Sequence, residues 1–182
     1  LTSIQENAVK PIEPVFLDFK KDMSQLTAKS DIPVLYKQNT TNDLFQLIYV
    51  FDMGNNNDKA LGTAFDYLEY LGTSDMTPEE LKSEFYRLAC TFYVSPGNER
   101  TYVVLSGLNE NMPAAMQLFE KLLADAQVNK EAYNNLVGDI LKARADAKLN
   151  QGQNFSRLMN YAMYGPKSPT TNLLTEAELA SM

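Results

Sequence analysis

The chain has 182 residues, 45 % of them hydrophobic, with 16 basic against 23 acidic side chains, a net charge of −7 and no histidine. Phosphate backbones repel so acidic a surface when no basic patch offsets it, so nucleic acid is not an expected partner. The missing imidazole removes the default general base, the commonest zinc ligand and every Ser–His or Cys–His nucleophile, leaving carboxylates, tyrosines and lysines for any chemistry.

Residues 1–30 are weakly patterned, with Pro11, Pro14 and an apolar-acidic stretch from Val15 to Phe19, and read as a connecting arm. Ile32–Lys37 and Leu44–Phe51 are rich in Tyr, Ile, Val and Phe and flank a polar cluster, Asn39-Thr40-Thr41-Asn42, which predicts a β-hairpin. Leu44–Phe51 is apolar except for Gln46, which places it deep in a sheet. Asp58 is positioned to cap a helix over 59–71 with Leu61, Ala64, Phe65, Leu68 and Leu71 on one stripe, and Gly72 supplies a left-handed stop. Thr77-Pro78-Glu79-Glu80 combines an N-cap, a proline at the first helical position and a capping-box glutamate. Its helix buries Leu81, Phe85, Leu88 and Ala89.

Strands at Thr91–Ser95 and Arg100–Ser106 follow, joined through Pro96-Gly97-Asn98. Helices over 112–126 and 130–148 present Ala115, Phe119, Leu122, Leu123 and then Tyr133, Leu136, Val137, Ile140. After Gly152 a shorter helix carries Phe155, Leu158, Met159 and Ala162 until Gly165-Pro166. Thr175-Glu-Ala-Glu178 is a second capping box, opening a helix of about one turn, too short to be stable alone. The expectation is therefore an internal segment of a larger protein, with no compartment assigned between periplasm and cytoplasm. No apolar run reaches the roughly 18 residues of a membrane span, and no membrane partner is expected. Short links within strand pairs require antiparallel pairing, and the paired helices need a sheet face to cover. The fold class is α+β: an antiparallel sheet with helices on one face.

Asn39–Gly54, Asp58-Lys59-Ala60-Leu61-Gly62, Tyr70-Leu71-Gly72-Thr73, Met76-Thr77-Pro78-Glu79-Glu80 and Leu105-Ser106-Gly107-Leu108 occur in an order and spacing that resembles the pitrilysin (insulinase) family of zinc metallopeptidases. The resemblance runs over roughly residues 30–165 and implies the metallohydrolase fold shared with mitochondrial processing peptidases. It divides the chain into a linker arm, 1–30, from a preceding half, and an inactive peptidase-like domain, 31–182, cut short at its C-terminus. Active members carry His-x-x-Glu-His on the first helix and a distal glutamate as third zinc ligand. Two imidazoles four residues apart share one helix face, and the glutamate activates the metal-bound water. Counting back from Gly72-Thr73, Thr63 and Tyr67 stand at the histidine positions, Asp66 at the base, and Asp139 near the third ligand.

These four are degenerate motif positions, and the resemblance then implies neither a catalytic residue nor a metal in this segment. The implied role is that of the inert half of a two-half protease, forming a wall of the peptide-holding chamber and assisting substrate binding. The resemblance implies that zinc belongs to a catalytic half of the same polypeptide and that the parent is a zinc metalloendopeptidase. Partners are then that half and a peptide substrate, with a homodimer open to the isolated chain. The alternative is a stand-alone peptide-binding or assembly domain of the same fold without a catalytic partner.

Other features have plainer readings. A carboxylate site at Asp66, Glu69 and Asp139 would suit Mg²⁺ or Ca²⁺, but a polar helix face explains the same residues. Asp52–Asp58 lacks the ligand spacing of a calcium loop and reads as a turn and helix cap. Cys90, the single cysteine, ends an apolar helix face and reads as a buried thiol. Tyr161 and Tyr164 are candidate interface residues, and Lys20-Lys21 is a solvated charge pair.

Overall fold

A computed structural model describes residues 13–14, 16–168 and 170–182, with Lys167 described by its backbone alone. The expectations for Leu1–Lys10, Pro11 and Val15 lie outside the described residues. The chain divides into two units, 1–42 and 43–182.

In the first unit a short helix α1 (Phe19–Asp22) leads into a ribbon of β1 (Ser24–Thr27) and β2 (Pro33–Tyr36). Asp18 caps α1 by accepting from the Lys20 amide at 3.0 Å. The strands are antiparallel, Ser24 opposite Tyr36 and Leu26 opposite Val34. This corrects the expected hairpin: the strand at Pro33 pairs backward with Ser24–Thr27, not forward with Leu44–Phe51. The Asn39–Asn42 cluster serves a local turn, in which the Asn39 carboxamide oxygen accepts from the Thr41 amide at 3.0 Å.

The second unit is built on a three-stranded antiparallel sheet in the order β3-β5-β4, from β3 (Leu44–Phe51), β4 (Cys90–Pro96) and β5 (Thr101–Leu108). Leu44–Phe51 is an edge strand, and Thr101–Leu108 is the central one. An apolar run cannot tell these places apart, because it reports burial of side chains rather than pairing of both backbone edges. Pairing sets Phe45, Gly107 and Cys90 in one row, Leu47, Leu105 and Phe92 in the next, then Tyr49, Val103 and Val94. These rows face the core. Strand alternation sends Ile48, Val104, Tyr93, Val50 and Tyr102 to the opposite face, where all but Val104 are exposed.

Helices α2 (Leu61–Leu68) and α3 (Pro78–Arg87) connect β3 to β4, and α4 (Met112–Asp125), α5 (Lys130–Leu149), α6 (Gln151–Tyr164) and α7 (Glu176–Ser181) follow the sheet. Among them α2, α3 and α4 pack on the strands, α5 packs on α2, and α6 and α7 pack on α5. The core joins Phe45, Leu105 and Val103 of the sheet to Leu68, Leu81, Phe85, Ala115, Phe119 and Leu122 of the helices. Phe92 stacks at 5.0 Å from Phe119 and 5.1 Å from Phe85. The expected α+β class, helices on one face of an antiparallel sheet, is what the chain adopts.

Local signals fare unevenly. Both capping boxes form as read, Thr77 with Glu80 and Thr175 with Glu178. Asp58 accepts from the Ala60 amide at 2.8 Å and so organises the turn before α2, which begins only at Leu61 and ends at Leu68. Gly72 is not left-handed; it is small because the chain doubles back, and a Cβ there would lie 2.2 Å from the Met76 carbonyl oxygen. Ala89 leaves the helix at φ 49° and is exposed rather than buried. Leu123 is exposed, and so is the whole expected stripe of α6, Phe155, Leu158, Met159 and Ala162. Six-residue α7 is held by tertiary contact, with Leu179 fully buried and its carbonyl accepting from the Tyr133 hydroxyl at 2.7 Å.

Candidate functional site

The four residues that the resemblance singles out fall on two helices in contact, Thr63, Asp66 and Tyr67 on α2 and Asp139 on α5. The contact is made by Tyr67. Its ring meets Tyr133 edge-on at 5.2 Å with an interplanar angle of 74°. Its hydroxyl donates to the Asn129 carbonyl oxygen at 2.7 Å and accepts from the Asn129 amide at 2.8 Å. Asn129 is the N-cap of α5, its side chain accepting from the Ala132 amide at 3.0 Å. The tyrosine thus pins the start of α5 to the end of α2 through both functions of one hydroxyl.

The other positions are not drawn together. Thr63 is half-buried, while Asp66 and Asp139 are exposed. Partial desolvation raises the Asp66 carboxyl above its ordinary pKa although most of the residue stays accessible. Asp139 lies beyond Leu136 on α5, outside the stripe that packs inward. Among the described residues no group of three or more Cys, Asp or Glu is placed to hold a metal ion.

This donor set does not fit zinc. Zinc prefers nitrogen and sulfur ligands in a tetrahedral cage, and here the residue that the resemblance sets at the second ligand position is a phenol whose hydroxyl both donates to and accepts from the Asn129 backbone. Nor does the remaining pair of exposed carboxylates supply the six to eight oxygens of a calcium site. Sequence reasoning missed Asn129 and Tyr133, the residues that complete the contact. Asn129 carried a usable signal, an N-cap side chain just before a helix; Tyr133 carried only its place on the α5 stripe.

The remaining candidates resolve simply. In Asp52–Asp58 the side chains serve the turn and a strand-end ion pair: Asn57 accepts from the Gly54 amide at 3.0 Å, Asn55 from the Gly62 amide at 3.1 Å, and Asp52 from Arg100 at 2.8 Å. The Cys90 thiol is buried, and desolvation raises its pKa, the opposite of what a nucleophile needs. Tyr161 and Tyr164 are half exposed.

No protein-family model matches the chain, and no curated protein does either. Solved structures do. The periplasmic protease PqqL from Escherichia coli superposes with a TM-score of 0.74 at 16% identity, over 91% of this chain and 19% of that one. The peptidase M16 inactive domain from Pseudomonas fluorescens gives 0.72 at 17% identity, over 88% of this chain and 42% of that one. The ferredoxin protease FusC, crystallised with Arabidopsis ferredoxin, gives 0.73 at 12% identity, over 97% and 21%. The chain therefore spans less than half the length of each of these neighbours. Its fold is that of an M16, pitrilysin-type peptidase domain, a group whose solved members include an inactive one.

Proposed function

We propose that this chain is a non-catalytic M16-type domain of a two-half zinc metalloendopeptidase. In this reading it forms one wall of the chamber that holds the peptide and assists substrate binding, while zinc and the histidine-bearing helix belong to the other half of the same polypeptide. The observation that carries the reading is the Tyr67–Asn129 contact. At the position where the resemblance puts a zinc-binding imidazole, the hydroxyl joins two helices instead. The exposed apolar side chains of α6 and of the outer sheet face support a role that depends on surface contact with a partner.

The test has two arms. The purified chain should retain no stoichiometric zinc after dialysis and should not cleave unfolded peptides; peptide turnover abolished by Asp66→Ala would overturn the assignment. Added to the histidine-bearing half, it should restore peptide cleavage. A histidine-bearing half that is fully active without it, or an upstream reading frame with no His-x-x-Glu-His helix, would favour a stand-alone binding domain.

A further inference from the structure

Away from the degenerate positions, the hairpin of α5 and α6 and the segment leading into α7 enclose an open pocket of about 360 Å³. Its charge is opposite to that of the chain. Arg144, Lys148 and Arg157 line it against one carboxylate, Glu176, in a protein whose formal charge is −7. Leu141, Ala145 and Leu173 supply an aliphatic lining.

The three cations are not consumed by internal pairing. Arg144 donates from Nη1 to the Leu174 carbonyl oxygen at 2.6 Å, which fixes the guanidinium and leaves its other N–H groups open. Lys148 and Arg157 make no ion pair or side-chain hydrogen bond with any described residue, although acidic side chains outnumber basic ones. Arg157 is half-buried, so its charge is screened less than a free surface charge. Three cations and an aliphatic lining in one pocket match a carboxylate carried next to an apolar group.

We infer that the pocket between α5, α6 and the 173–176 segment binds an acidic peptide segment, seating a Glu or Asp carboxylate on Arg144, Lys148 and Arg157 with a neighbouring aliphatic side chain on Leu141 and Leu173. The chain's overall negative charge does not prevent this, because charges beyond a Debye length of about 8 Å are screened at physiological ionic strength. The inference shares with the proposed function only the idea that the ligand is a peptide.

The experiment uses a fluorescein-labelled peptide of alternating Glu and Leu and a control with Gln for Glu, followed by anisotropy with the isolated chain. Saturable binding of the acidic peptide, weakened by salt, is expected, with the control at least about tenfold weaker. Lys148→Gln combined with Arg157→Gln should weaken the acidic peptide by about tenfold or more while leaving the circular dichroism unchanged. Should that double variant not fold, Lys148→Gln alone, on an exposed side chain, must still weaken binding several-fold. Equal binding of both peptides, or unchanged binding by the folded variant, overturns the inference, as does binding to phosphatidylserine vesicles with none to the peptide. If these arms fail while the histidine-bearing half is still restored, the pocket assignment falls and the wall reading stands.

Discussion

The Tyr67 hydroxyl and the Asn129 backbone exchange two hydrogen bonds, one in each direction, at 2.7 and 2.8 Å. A phenol does here, for two helices, what a metal ion bound between them would do. The bonds close the junction between α2 and α5 and orient the first turn of α5.

Tyr67→Phe keeps the ring on Tyr133 and deletes both bonds. The Asn129 amide loses its partner, while the carbonyl keeps only the Tyr133 amide at 3.0 Å, at a cost of about 1–2 kcal/mol. Chemical denaturation should show a lower midpoint with an unchanged slope; a midpoint equal to the parent's would show that water replaces the hydroxyl.

Phe119 is 1% exposed and packs with Phe92 at 5.0 Å and Tyr49 at 6.1 Å. Phe119→Ala should cost about 3–5 kcal/mol, through lost transfer energy and the cavity left where sheet and α4 meet. Thermal unfolding would report a large drop in melting temperature, whereas a change within a few degrees would contradict its central place in the core.

Gly72→Ala should destabilise by about 1–3 kcal/mol, because the new methyl meets the Met76 carbonyl oxygen rather than a movable side chain. Were a left-handed φ the reason for this glycine, Gly72→Asn would be well tolerated, since asparagine adopts that region more readily than other residues. Both variants are expected to lower the unfolding midpoint.

Glu178 joins the α7 capping box to Lys59, and hydrogen bonds from Lys59 and Thr175 lower its pKa to about 2. Because the folded value lies below the unfolded one, near 4.3, the contribution is complete above the unfolded pKa. It is lost as pH falls from that value towards 2. Lys59→Gln should reduce this acid sensitivity of the parent between those pH values, read as the difference in unfolding midpoint at neutral and at acid pH. An identical pH profile for parent and variant would remove the linkage.

What was legible in the sequence is what short-range chemistry decides. Thr77-Pro-Glu-Glu80 and Thr175–Glu178 announce helix starts because the capping groups lie within three residues of each other. Alternation and helical stripes located β4, β5, α4 and α5 and hence the α+β class. Long-range pairing could not be read that way. Leu44–Phe51 looks the same whether it pairs with β2 or with Leu108–Thr101, because the choice depends on which backbone edge is free after folding.

The apolar stripe of α6 states that a surface wants covering without saying whether this chain covers it. The absence of imidazole was a property of the sequence itself. The use of Tyr67 to hold α5 was decided by tertiary structure, since it brings together residues 62 apart in sequence, and so was the pocket in which Arg157 and the 173–176 segment join Arg144 and Lys148, two side chains that already share a helix face at i,i+4.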